Sequence, residues 1–162
     1  MARSDVRTAV INWLSEATIP DLNQLVTTFP KHGDFQLNSA AGELSRAIGI
    51  VFIAGERESR VAVGGAYSGW KQIDYDVDLQ IYHHSLERDA VDAMSSFDAI
   101  IDGVKAQLRG GGHRLGLSDG SVIWQAAEPG IIVTYDVPQT LKGGAVETWA
   151  AVRFTVTQMI QA

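Results

Sequence analysis

Apolar and polar side chains alternate most regularly between Lys71 and His84. Ile73, Tyr75, Val77, Leu79, Ile81 and His83 interleave with Gln72, Asp74, Asp76, Asp78, Gln80 and Tyr82. A period of two sends the two sets to opposite faces of a β-strand. Residues 71–84 fully extended reach about 46 Å, well beyond the usual five or six residues, so such a strand must bend or project from the domain body. Val146–Met159 repeats the pattern. There Val146, Thr148, Ala150, Val152, Phe154 and Val156 oppose Glu147, Trp149, Ala151, Arg153, Thr155 and Thr157.

Two segments carry the helical period instead. Val6, Ala9, Val10, Trp13, Leu14 and Ala17 predict a helix over about 4–17, capped by Ser4 or Asp5 and ended by Pro20. Ala90, Met94, Phe97, Ile101, Val104 and Leu108 predict another over about 86–109, capped by Ser85 and stopped by Gly110–Gly112. Ile48–Ala54 reads as a buried strand, with a charged turn at Gly55–Ser59 and a return along Arg60–Val63. Ser121–Ala127 and Ile131–Tyr135 read as a hairpin around Glu128-Pro129-Gly130, and Asp136–Ala145 as a loop. Residues 18–46 show no lasting period and are broken by Pro20, Pro30, Gly33 and Gly42. They predict a long loop that packs on the core or on a partner. The expected fold is α+β: one domain over residues 1–162, with a largely antiparallel or mixed sheet packed against two helices.

The chain of 162 residues is of single-domain length and has no cysteine. That excludes a disulfide scaffold, a thiolate metal site and a cysteine nucleophile. Apolar runs such as Ile48–Ala54 fall far short of the ~18 residues of a membrane span. The net charge of −6 argues against a surface that wraps nucleic acid. All of that charge falls within 71–102, where Asp74, Asp76, Asp78, Glu87, Asp89, Asp92, Asp98 and Asp102 face only Lys71 and Arg88.

Asp74, Asp76 and Asp78 stand in a row on one strand face, about 6.6–7 Å apart. Carboxylates suit hard cations, but one row on a flat strand cannot surround an ion. A solvated polar face and the acidic lining of a channel are the other readings. His83 and His84 point to opposite faces and cannot ligate one metal. Gly110-Gly111-Gly112-His113-Arg114 closes a helix, whereas a phosphate-binding loop opens one. No nucleophile elbow and no His-Glu-x-x-His occurs. Nothing in the sequence marks an enzyme or calls for a cofactor. Gly64, Gly65, Ser68 and Gly69 predict a flexible loop carrying Tyr67 and Trp70, and we expect Arg60, Tyr67, Trp70 and Trp149 at protein interfaces.

The run Ile73-Asp74-Tyr75-Asp76-Val77-Asp78-Leu79-Gln80-Ile81-Tyr82-His83-His84-Ser85, followed by a helix with Phe97-Asp98-Ala99-Ile100-Ile101-Asp102, resembles the middle of tail terminator proteins of long-tailed, siphophage-type bacteriophages. Val122-Ile123-Trp124-Gln125-Ala126, the late strand with Arg153-Phe154-Thr155-Val156, and the opening helix with Val6, Val10, Trp13 and Leu14 extend the resemblance over most of the chain outside 18–46. It implies a virion protein assembled in the host cytoplasm. The expected assembly is a homohexameric ring on the head-proximal end of the tail tube. The ring would stop tube polymerisation and dock the head-completion protein, with DNA passing through its hole and no catalysis, cofactor or membrane involved. In such a ring Asp74, Asp76 and Asp78 are the expected channel lining, because an acidic wall repels phosphates. Arg153 and Lys71 are candidate partners that would neutralise them across a sheet. The alternatives are another head-to-tail connector, or a small α+β ligand-binding or enzyme domain. The last would need Asp76, His84 or Tyr82 to point inward, against the alternation.

Overall fold

The computed structural model describes residues 3–27, 45–63, 69–87, 90–110, 114–116, 122–125, 130–141 and 143–161. Three long antiparallel strands dominate them: β2 (Ser45–Val63), β3 (Gly69–Ser85) and β8 (Val146–Gln161). β3 lies between the other two and pairs with each along its whole length. The sheet order is β1-β2-β3-β8-β5-β4, with β1 at Leu22–Val26, β4 at Arg114–Gly116 and β5 at Val122–Gln125. β6 (Ile132–Tyr135) and β7 (Gln139–Thr140) also pair with β8. Two helices, α1 (Arg3–Ser15) and α2 (Ala90–Gly110), complete an α+β fold.

Both helices pack on one face of the sheet. Tyr75, Val77, Leu79 and Ile81 of β3, with Ala150, Val152, Phe154 and Val156 of β8, meet Val6, Val10, Trp13 and Leu14 of α1 and Phe97, Ile101, Val104 and Leu108 of α2 in a single core. Directly opposed antiparallel residues share a face, and the register pairs Val77 with Phe154 and Leu79 with Val152. Burying each such aliphatic or aromatic side chain is worth roughly 1.5–3 kcal/mol. The amide of Gln107 donates to the carbonyl of Trp13 at 2.9 Å, a second donor beside the Glu16 N–H at 3.2 Å, so α2 ties down the end of α1.

Three expectations are corrected. Residues 28–44 of the expected loop lie outside the described ones, but 22–26 are not a loop: they form β1, which runs parallel to β2, pairing Leu22 with Ala47 and Val26 with Ile50. It docks closely because Gly49 has no side chain; a Cβ there would come within 2.6 Å of Leu25. The charged Gly55–Ser59 is not a turn. β2 passes straight through it, with register shifts at Ile53/Gly55 and Arg60/Ala62. Each charge on this stretch finds a partner: Glu56 takes Arg3 at 2.8 Å, Arg57 takes Asp74 at 2.9 Å and Glu58 takes Lys71 at 2.7 Å.

The hairpin expected around Glu128–Gly130 is also absent. β5 and β6 both pair with β8, through Gln125↔Val156 and Ile132↔Arg153, and so follow one another along the same edge. Residues 126–129 lie outside the described ones. The turn proper lies later, where β7 pairs Thr140 with Val146 and Gly143 and Gly144 take φ of 103° and 88°. Those angles favour glycine.

His83 belongs to the core-facing set and is wholly buried, while His84 points to the other face and is half-buried. The Oγ of Ser45 lies 2.6 Å from Nε2 of His83, and the ring leans on Phe97 with centroids 5.6 Å apart. Its Nδ1 has no partner among the described residues. Burial pulls the imidazole down to about 4, opposed by the charge of Asp21 and helped by His84. The unfolded chain titrates near 6.5, so it takes up this proton first as pH falls. Stability fully present above about pH 6.5 is therefore lost progressively down to about pH 4, by up to about 3 kcal/mol. Urea unfolding across that window should show this slope, and His83→Gln should flatten it.

Candidate functional site

The face of the sheet turned away from the helices carries the polar set. The register places Asp74 opposite Thr157, Asp76 opposite Thr155, Asp78 opposite Arg153 and Tyr82 opposite Trp149. On the β2 side Arg57 faces Asp74 and Gly55 faces Asp76. The alternation of β3 thus holds, and the three aspartates stand in one row.

Their surroundings differ. Asp74 is 8% exposed and accepts hydrogen bonds from Thr157 at 2.7 Å, Gln72 at 2.7 Å and Arg57 at 2.9 Å. Burial pushes its carboxyl up, but the bonds from Arg57, Thr157 and Gln72 together outweigh it and hold the group below the usual range. Asp78 is half-buried, between the amide of Gln80 at 2.6 Å and Nε of Arg153 at 3.3 Å. Asp76 is exposed and accepts from the hydroxyl of Thr155 at 3.2 Å. The cations thus meet the two outer aspartates. Lys71, the other expected partner, goes to Glu58 instead.

A second cluster closes the row toward β7. The Tyr82 hydroxyl donates to Glu147, whose carboxylate also lies 3.5 Å from Nδ1 of His84. Tyr82 and Trp149 meet edge to face at 4.8 Å. Burial, then the bond to Glu147, raises the phenol above its ordinary range, so its proton is held rather than offered. Asp76, His84 and Tyr82 all stand on this face and not in the core, which is where a ligand-binding or catalytic pocket between sheet and helices would need them. Two shallow cavities lie here, about 240 Å³ over Asp76, Asp78 and Ile132 and about 220 Å³ beside Gln80, Thr134 and Trp149, with Arg153 lining both. Among the described residues no group of three or more His, Asp or Glu side chains is placed to hold a metal ion.

The expected interface residues scatter. Arg60 is exposed near the end of β2, and Trp70 is 44% exposed beside it on β3, since Trp70 pairs with Ala62. Trp149 is half-buried against Tyr82, some distance along the sheet. Tyr67 lies outside the described residues. Missing from the sequence expectations are the threonines that hold the row and the Tyr82–Glu147–His84 cluster. The signal was present in β8, whose polar set is the register partner of the aspartates.

These environments separate the aspartates experimentally. Asp74→Ala should cost about 1–3 kcal/mol in urea unfolding, because Thr157 and Gln72 lose a buried acceptor. Asp76→Ala should stay within about 0.5 kcal/mol of the parent. The contribution of Asp74 should be present above the ordinary carboxylate range and vanish as pH falls through its lowered value.

No family model matches the chain, and no curated protein matches it. Among solved structures it is similar to the sheath/tube terminator of an extracellular contractile injection system, PVC, in the extended state, at 13% sequence identity and a TM-score of 0.40. That likeness covers 96% of this chain and 57% of the other, so the chain spans little more than half the length of this neighbour.

Proposed function

We propose that this protein is a structural tail terminator. In this reading copies of the chain close into a ring, a hexamer, on the head-proximal end of a phage-type tail tube. The ring ends tube growth and presents a docking surface to the head-completion protein, and DNA passes through its hole. The reading rests on the sequence resemblance together with one observation. The helices cover a single face of a sheet with strands of 19, 17 and 16 residues, and on the other face β3 and β8 carry a hydrogen-bonded polar row beside the buried Ile48 and Ile50 of β2. A subunit of that shape can turn its polar face to a wet lumen while its helices form the outside.

Under this proposal Asp76 and Asp78, with the deeper Asp74, line the hole, and their charge keeps DNA phosphates from sticking. Arg60, Tyr67, Trp70 and Trp149 are proposed for contacts with neighbouring subunits, the tube and the head-completion protein.

Negative-stain imaging with parallel mass measurement tests the ring. The expected result is a closed ring with a hole of about 20 Å or more, wide enough for duplex DNA. Purified tail tubes should also acquire the protein at one end. Failure to form rings both alone and on tubes overturns the proposal. Asp76→Asn with Asp78→Asn should leave ring mass unchanged and slow DNA release from assembled particles. Unchanged release would remove these residues from the channel wall.

A further inference from the structure

Where a sheet ends, unpaired backbone N–H and C=O groups are a template for another strand, and charges usually guard them. Beyond the reach of β1, the outer edge of β2 is guarded in this way. Glu56, Arg57, Glu58 and Arg60 lie close together there, all exposed. Of the remaining edges, two that are more than two residues long are not. β1, Leu22-Asn23-Gln24-Leu25-Val26, has β2 as its neighbour and no strand beyond it among the described residues. β6, Ile132-Val133-Thr134-Tyr135, likewise has β8 on one side and no described strand on the other. Neither strand contains a charged residue.

The β6 edge and the residues after it also carry exposed apolar side chains, with one exposed charge, Asp136, just beyond the strand. Ile132, Tyr135 and Val137 are 47%, 52% and 82% exposed, three of the six exposed large hydrophobic side chains among the described residues. The N–H of Asp136 donates to the carbonyl of Trp149, so strand alternation directs the N–H of Tyr135 outward from the sheet. The two unguarded edges lie on opposite sides of one sheet and are similar in length, five residues in β1 and four in β6. A chain with two different open edges can make a head-to-tail contact with its own kind, the contact from which rings are built.

We infer that the β6 edge of one subunit pairs with the β1 edge of the next copy, joining their sheets across the interface. This rests on the ring reading and adds the surfaces through which it closes. Joined in this way, successive subunits keep their helix-free faces on one side of a common sheet.

The test blocks each edge separately in the full chain. Ile132→Lys with Val137→Lys charges the β6 edge at exposed positions. Gln24→Lys with Val26→Lys charges the β1 edge, and the exposed Gln24→Lys alone serves if the pair unfolds. Circular dichroism and melting confirm folding, and native mass spectrometry reads assembly over a concentration series. Each variant alone should need at least about tenfold more protein to assemble. An equimolar mixture should form dimers of one copy of each, because one intact β6 edge then meets one intact β1 edge. Self-dimers of the β1-blocked variant would show β6 pairing with itself and overturn the inference. Rings that persist in both variants overturn it while leaving the ring reading in place. A parent chain that stays monomeric at every concentration and on tubes overturns both.

Discussion

β3 pairs with β8 in one unbroken register and with β2 across two register shifts, and both surfaces of the sheet follow from that pairing. Side chains alternate along a strand, so one register fixes two faces at once. With Val77 opposite Phe154, the apolar sets of both strands fall together beneath the helices. With Asp74 opposite Thr157, the acidic row falls beside hydroxyl donors. A slip of one residue would bury the aspartates under the helices and place Leu79 and Ile81 in water. The core and the polar face are therefore set together.

The polar face is organised by donors rather than by charge alone. Asp74 is nearly enclosed yet stays ionised because three donors converge on it. Asp78 is met by Arg153, and the middle aspartate, Asp76, keeps its exposure. Net acidity read along the chain thus overstates the field at this surface, since Arg57 and Arg153 arrive from the flanking strands. The opposite case is His83, an ionisable group on the apolar side that burial holds neutral.

Strand length gives the sheet its other property. β2 and β3 run past the part covered by the helices, and over 56–60 β2 is exposed on both faces. There the salt bridges to Arg3, Asp74 and Lys71 take over from hydrophobic packing. Exposed ion pairs contribute little energy each, but their charges keep that edge from pairing at random. The contrast with the uncharged β1 and β6 distinguishes edges that are protected from edges left open.

The two helices, the faces of β3 and β8, the α+β class and the row of three aspartates were all legible in the sequence, because each depends on period and spacing within one segment. The remaining features depend on contacts between segments. Leu22–Val26 becomes a strand only because β2 offers it an edge and Gly49 leaves room for Leu25. Gly55–Ser59 extends rather than turns because β3 runs opposite it, pairing Gly55 with Asp76 and Ser59 with Gln72. β5 and β6 choose β8 over each other, since the long strand presents a continuous edge to both. The different fates of Asp74 and Asp76 depend on which residues lie across the sheet, and that is a matter of pairing between stretches far apart in the chain.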